Sequence, residues 1–198
     1  TNPWLAGENN MQLAVDAARA FALGVDIVKA SVASLAQVEV LVETSKGWHR
    51  SGAMWYPSSK DDFSSNMERS AKQAMACASI ESLTALKDID AIVAVPGLRI
   101  LALACTDLSN QMGHTFGYDH PEVLALVRDV AEKAKKHVVV VCANIGYEAV
   151  TAKQIDARMQ RLYEIGARII LMNTIEKLAH TLCKELNDGF RTSNKMRL

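Results

Sequence analysis

Residues 75–81 read Met-Ala-Cys-Ala-Ser-Ile-Glu and residues 101–107 read Leu-Ala-Leu-Ala-Cys-Thr-Asp, two apolar runs that each lead to one carboxylate. An acid at the end of a buried strand must be desolvated or paired, so Glu81 and Asp107 are poorly placed to help folding. Hard divalent cations, in contrast, take carboxylate oxygens as ligands. If both runs are strands of one parallel sheet, the two acids emerge at the same edge and can share one ion.

Strand-like and helical patterns alternate along the chain, which is typical of βα units around a parallel sheet. The near-continuous apolar runs suit strands that are covered on both faces. Five βα units are fewer than the eight of a closed barrel, which needs about 250 residues. The periodicity therefore leaves two α/β architectures open, an incomplete (β/α)8 TIM barrel and an open doubly wound sheet. The predicted strands are Val25–Val32, Met75–Ile80, Leu98–Cys105, Val138–Ala143 and Ile169–Met172.

The domain organisation is predicted to be one partial barrel domain over residues 1–198, with a long loop at 44–70 and a C-terminal tail at 187–198. The loop is longer than a compact domain usually leaves without structure, which indicates a functional or a disordered segment. Helical spacing of apolar residues predicts the helices Met11–Leu23, Leu35–Val42, Ser82–Ile89, Pro121–Lys136, Thr151–Glu164 and Ile175–Leu186.

Composition excludes several classes of partner. The 198 residues include 22 Lys plus Arg and 22 Asp plus Glu, so the formal charge is zero and no basic stripe favours nucleic acid. The apolar runs fall short of the roughly 18 residues that cross a bilayer, and no secretory pattern opens the chain. We therefore expect a cytoplasmic protein. The glycines form no phosphate-binding motif.

The four cysteines have no Cys-x-x-Cys spacing, which argues against a zinc site and against a disulfide framework. Buried free thiols are expected, because unpaired cysteine packs as a small hydrophobe. Cys105 could differ from the other cysteines, since it lies two residues before Asp107 and therefore at the candidate site.

The string Asp107-Leu108-Ser109-Asn110-Gln111-Met112-Gly113 resembles the Asp-Leu-Ser-x-x-Met-Gly signature of the HpcH/HpaI aldolase and citrate lyase family, the metal-dependent class II pyruvate aldolases. Ser79–Ser82 is similar to the family's Gln-Ile-Glu-Thr, Val95–Gly97 to its Val-Pro/Glu-Gly turn, and His120–Val123 to its His-Pro-Glu-Val. The resemblance spans roughly residues 11–187. It implies a TIM barrel of which this chain carries a part.

The resemblance also implies a site. Glu81 and Asp107 would bind Mg²⁺ or Mn²⁺, other divalent cations being possible, and Ser79, Thr106 and Asp107 would contact the substrate. The implied activity is that of a metal-dependent carbon–carbon lyase, which cleaves 4-hydroxy-2-oxo acids to pyruvate and an aldehyde and decarboxylates oxaloacetate as a side activity. A small 2-oxo acid can chelate a divalent ion, which then stabilises the enolate that forms when the C3–C4 bond breaks.

The departures from the family concern the acid/base groups. The family's catalytic base, a His paired with an acid, and an Arg that contacts the keto oxygen have no matching segment here, so the catalytic base is unknown. Ser79 stands where the family has Gln, and Ala104–Thr106 where it has Gly-Pro-Ala. Either the N-terminal third lies outside this chain, or the protein is a divergent member. The alternative function is that of a weak or inactive relative that serves binding or assembly.

Several residues also have purely structural interpretations. Glu81 could be a helix-start acid and Asp107 an N-cap. His49 and His114 lie in segments that could reach the site, and His120 is expected to start a helix. Arg50 could contact an anionic substrate or form a surface ion pair. The unpaired edges of an incomplete barrel, which can recruit other chains, predict a homo-oligomer.

Overall fold

The computed structural model describes residues 5–6, 10–46, 72–146, 151–172 and 175–193. Its strands are β1 Leu5–Ala6, β2 Ile27–Val32, β3 Met75–Ile80, β4 Ile100–Leu103, β5 Val140–Asn144 and β6 Ile169–Leu171. Its helices are α1 Asn10–Ala22, α2 Leu35–Lys46, α3 Leu83–Leu86, α4 Ile89–Val93, α5 Cys105–Gln111, α6 Pro121–Lys136, α7 Ala152–Glu164 and α8 Ile175–Ser193. None of the helices within these ranges has the length and apolarity to cross a bilayer.

The six strands form one sheet in which each strand lies beside its predecessor, in the order β1-β2-β3-β4-β5-β6. Every pairing is parallel. A doubly wound sheet reverses its strand order at a switch point, whereas a barrel adds strands in one direction. The (β/α) barrel type is therefore confirmed, and the doubly wound alternative is wrong. The two-residue strand β1 was not predicted, because two residues are too few to show an alternating pattern.

Some element bounds differ from the prediction. Strand β4 ends at Leu103, and the short helix α5 begins at Cys105, so Asp107 lies in a helix and not at a strand end. The predicted helix Ser82–Ile89 is two helices, α3 and α4. Seven-residue and shorter helices show too little of the 3.6-residue period to be recognised in a sequence.

Two helices extend into segments that were predicted to lie outside them. Helix α2 runs through Lys46, three residues into the predicted loop, because Thr44 and Ser45 satisfy their hydroxyls inside the helix. Thr44 donates to the Val40 carbonyl at 2.8 Å, and Ser45 donates to the Val42 carbonyl at 2.7 Å. Helix α8 continues to Ser193, past the start of the predicted tail, where the mostly polar sequence gives no apolar period.

The two faces of the sheet differ in their packing. One face packs against the helices and contributes Val28, Ala78, Ile80, Leu101 and Val141 to the main core. The opposite face, which we call the inner face, carries a smaller apolar cluster of Cys77, Ile100, Ala102 and Cys142. Because strand residues alternate between faces, Ser79 and Glu81 follow Cys77 on the inner side of β3, and Asn144 follows Cys142 on β5.

Candidate active site

The carboxyl-terminal edge of β3, β4 and β5 holds buried oxygens without partners. Within the described part of the chain, five buried side-chain oxygens lack a hydrogen bond, those of Ser79, Glu81, Thr106, Tyr118 and Asn144. Folded proteins pair nearly all buried polar atoms, so each exception needs an explanation such as an ion or a ligand. Ser79, Glu81 and Asn144 lie at the ends of β3 and β5, Thr106 lies in the first turn of α5, and Tyr118 lies in the loop after α5 with its ring against Gly146. Their concentration at one edge is typical of a ligand site.

The strand register sets the spacing of two of these residues. Ile80 pairs with Leu103, and Leu103 pairs with Ala143, so Glu81 and Asn144 follow at the level of Ala104 on either side. Adjacent strands lie about 4.8 Å apart, which separates the two backbones by roughly 10 Å. The small side chain of Ala104 occupies little of this span.

Helix α5 is tied to the loop that carries Glu81. Gln111 donates from Nε2 to the Glu81 carbonyl at 2.7 Å, and its Oε1 accepts from the Leu83 N–H at 3.0 Å. Asp107 lies one turn before Gln111, and residues four apart share a helix face. The face of α5 that carries Asp107 is therefore turned towards the Glu81 loop. That the two carboxylates lie within roughly 6 Å of each other stays a prediction.

Neither acid has the capping role that a structural interpretation would give it. The N-cap of α3 is Ser82, whose hydroxyl accepts from the Ala85 N–H at 3.1 Å. The N-cap of α5 is Ala104, and Asp107 lies inside the first turn. The N-cap interpretation of Asp107 is therefore wrong, and the first turn of α3 contains no acidic residue.

The donor set fits a hard divalent cation. Glu81 Oε1 is buried without a hydrogen bond, and an uncompensated carboxylate oxygen in such a position is costly unless a cation or a donor faces it. Asp107 is exposed and would supply a second carboxylate. Two acids leave coordination positions for water and for a chelating substrate, as Mg²⁺ sites usually do.

Three of the four cysteines are buried. Burial raises the pKa of the Cys105 thiol to about 12 and that of Cys77 to about 12, and it raises the pKa of Cys142 to about 11. Cys105 donates its thiol hydrogen to the Leu103 carbonyl, with sulfur and oxygen 3.6 Å apart. The prediction of buried free thiols is confirmed for these three residues, whereas Cys183 is exposed.

Thiol accessibility gives a first testable prediction. A thiol reagent such as 5,5′-dithiobis(2-nitrobenzoate) at pH 8 should modify one cysteine rapidly in the folded protein and four after denaturation. The Cys183→Ser variant should lose the rapid phase and keep three thiols in denaturant. A second rapidly modified thiol in the folded protein would contradict the burial of Cys77, Cys105 and Cys142.

The histidines have different surroundings. His120 is the N-cap of α6 and accepts from the Glu122 N–H, which confirms its helix-start role. His114 Nε2 lies 2.9 Å from Glu122 Oε2, and this hydrogen bond lowers the pKa of Glu122. His49 and Arg50 lie outside the described residues, so their roles stay predictions.

Two site residues were missed by sequence reasoning. Asn144 ends an apolar strand, and the strand-end rule that selected Glu81 would have found it if amides had been considered. Tyr118 had no signal in the sequence. Its ring packs against Gly146, and the Arg158 guanidinium lies 4.8 Å from the ring centroid. Arg158 in turn donates to the Ile145 carbonyl at 2.8 Å, which fixes the loop after β5.

Comparison with known proteins places the chain in a family. Residues 29–172 match the HpcH/HpaI aldolase/citrate lyase family. The 5-keto-4-deoxy-D-glucarate aldolase of Klebsiella pneumoniae is 26% identical over 112 residues, 57% of this chain and 41% of that enzyme. The 2-dehydro-3,6-dideoxy-6-sulfogluconate aldolase of Pseudomonas putida is 39% identical over 56 residues, 28% of this chain and 22% of that enzyme. The matched segments thus span less than half of the relatives' length.

Solved structures agree on the fold. The HpcH/HpaI aldolase of Desulfitobacterium hafniense superimposes with a TM-score of 0.64 at 21% identity, covering 93% of this chain and 70% of that one. The match to the family covers most of the chain and includes both strands that lead to the candidate carboxylates. The chain belongs to the HpcH/HpaI aldolase/citrate lyase family.

Proposed function

We propose that the protein is a metal-dependent carbon–carbon lyase that acts on small 2-oxo acids. The observation that carries this proposal is the group of buried, unpaired oxygens around Glu81, at the edge towards which the Asp107 face of α5 is turned. Both curated relatives described above are named as aldolases of keto-deoxy sugar acids, which supports 4-hydroxy-2-oxo acids as the substrate class. Pyruvate and an aldehyde would be the products.

Glu81 and Asp107 would hold the cation, Mg²⁺ or Mn²⁺, and they would leave positions open for the substrate. When bound, such an ion supplies the positive charge that stabilises an enolate. The backbone N–H groups of Thr106 and Asp107 would bind the substrate carboxylate, with Ser79 beside them on the inner face. Asn144, opposite Glu81, offers an amide to a substrate hydroxyl.

The two reactions of the proposal differ in their need for a base. Decarboxylation of oxaloacetate releases CO₂ and leaves an enolate without any proton being removed. Retro-aldol cleavage needs a group that accepts the 4-hydroxyl proton, a step to which general bases contribute about 10² to 10⁴-fold. We therefore expect this chain to decarboxylate oxaloacetate and to be weak as an aldolase.

The experiment is a pyruvate-forming assay with oxaloacetate and Mn²⁺, corrected for the decarboxylation that the free ion causes. Catalysis above this blank that stops with a chelator and returns with Mn²⁺ supports the proposal. Full aldol activity would show that a base stands among the remaining residues. A folded protein that does neither would favour the second candidate function, a binding or assembly role without catalysis.

We also propose that the protein forms a homo-oligomer. In the described part of the sheet, β1 and β6 each have a strand neighbour on one side only. Such edges recruit partners or must be covered. Sedimentation velocity at micromolar concentration should show a dimer or a larger species, and a stable monomer would argue against this proposal.

A further inference from the structure

Two histidines and one glutamate converge where α6 begins. The imidazole rings of His114 and His120 are stacked, with centroids 3.5 Å apart and planes inclined by 18°. Glu122 Oε2 lies 2.9 Å from His114 Nε2. One ligand atom from each of the three side chains lies within 4.8 Å of the other two. In the described ranges, no other set of three His, Cys, Asp or Glu side chains is arranged in this way.

The backbone holds this cluster in place. Residues 112–120 form a compact loop, in which Gly117 donates to the His114 carbonyl and His120 donates to the Gly117 carbonyl, both at 2.8 Å. His114 also donates to the Ser109 carbonyl at 2.8 Å. A Cβ atom at Gly117 would lie 2.7 Å from the His114 Cβ, so only glycine lets the chain pass this close. The conformation of the backbone therefore brings the two imidazole rings together.

We propose that His114, His120 and Glu122 bind one divalent transition metal ion of the Zn²⁺ type. Imidazole nitrogens suit Zn²⁺, Ni²⁺ and Cu²⁺, whereas Mg²⁺ and Ca²⁺ prefer oxygen ligands. Ligand atoms bound at about 2.0–2.2 Å around one ion lie roughly 3–3.5 Å apart. The His114–Glu122 pair already has nearly this separation. A rotation of the partly exposed His120 ring out of its stack with His114 would bring in the third ligand.

This site is separate from the proposed lyase site and shares no ligand with it. Asp107 lies in the first turn of α5, and His114 follows the end of the same helix. Helix α5 continues four residues past Asp107 to Gln111, about 6 Å along its axis at about 1.5 Å per residue, and the chain then turns at Gly113 before it reaches His114. The two sites also differ in donor type, since Glu81 and Asp107 offer oxygens only. Three protein ligands leave a position for water at the histidine site, as in open zinc sites.

Co²⁺ is the probe for the experiment, because its visible absorption reports coordination. Titrations would use the Cys183→Ser protein, which lacks the exposed thiol, with millimolar Mg²⁺ present to occupy oxygen-only sites. We expect one Co²⁺ ion to bind, with no sulfur charge-transfer band, and Zn²⁺ to displace it. His114→Ala, His120→Ala and Glu122→Ala should each weaken Co²⁺ binding at least tenfold.

Matched controls are the three other histidines of the five in the chain. His49→Ala, His137→Ala and His180→Ala should change Co²⁺ affinity less than twofold. If a cluster variant fails to fold, the site can be located by proton nuclear magnetic resonance of the protein with all five histidines. Substoichiometric Co²⁺ should then broaden the ring-proton signals of His114 and His120 first. Unchanged affinity in folded His114→Ala or His120→Ala, or broadening of His137 or His180 instead, would overturn the proposal.

Discussion

Replacement of Asp107 by Asn is expected to lower Mn²⁺-dependent oxaloacetate decarboxylation by about 10³-fold or more. The change removes one negative ligand, and a cation that stabilises a developing anion contributes several kcal/mol, where each 1.36 kcal/mol is tenfold in rate. Asp107 is exposed, so its replacement should leave the fold intact, and such a loss of rate would not come from unfolding. Initial rates at saturating and subsaturating Mn²⁺ would separate weaker metal binding from a slower chemical step.

The matched control is Asp88→Asn. Asp88 is also exposed and lies at the start of α4, where its side chain makes no capping hydrogen bond. Its rate should stay within twofold of the parent protein. Glu81→Gln should resemble Asp107→Asn, because both acids are assigned to one ion. If the Asp107→Asn variant had the same rate as the parent protein, Asp107 would not be needed for catalysis.

Replacement of Gly146 by Ala is expected to destabilise the fold by about 3 kcal/mol or more. Gly146 has φ +76°, a conformation that costs other residues roughly 1–2 kcal/mol. A Cβ atom there would also overlap the Tyr118 ring, which adds an overpacking cost of about 1–3 kcal/mol. The ring has little freedom to move, because it is buried and lies beside the Arg158 guanidinium. Urea unfolding followed by circular dichroism measures the change.

Substitutions at two other glycines serve as controls that distinguish backbone strain from steric overlap with the Tyr118 ring. Gly113 also has a positive φ, of +87°, but a Cβ there meets nothing within 4 Å, so Gly113→Ala should cost only the backbone strain. Gly189 lies inside helix α8 with no neighbour near its Cβ position, and Gly189→Ala should stabilise the protein by about 0.5–1 kcal/mol. Equal losses in Gly146→Ala and Gly113→Ala would show that Tyr118 yields to the added methyl group.

The sequence predicted those elements whose ends carry a chemical signal. Strand β3 was placed at its observed bounds, because Glu81 interrupts a continuous apolar run. Helix α6 was placed equally well, because Pro121 marks its first turn and its apolar face repeats regularly. The sequential strand order could not be predicted from periodicity, since both candidate architectures alternate strands and helices. It depends on which strand pairs with which.

The parts of the site that escaped prediction depend on tertiary geometry. Tyr118 reaches the edge of the sheet through a loop with no periodic pattern. The His114 and His120 rings meet because the turns around Gly117 fold back on themselves, and Phe116 takes a φ of +51° in this loop. Asn144 differs from these two, because its position after an apolar run was visible in the sequence.

The most direct test of the account is the binding of Mn²⁺ to Glu81 and Asp107, measured by electron paramagnetic resonance of the free ion. The parent protein and the His114→Ala variant should bind one Mn²⁺ ion with equal affinity, and pyruvate should perturb the signal of the bound ion. Glu81→Gln and Asp107→Asn should each lose this binding at least tenfold while they retain the circular dichroism spectrum of the parent. Undiminished Mn²⁺ binding by both folded variants would contradict the assignment of these carboxylates to a shared metal site.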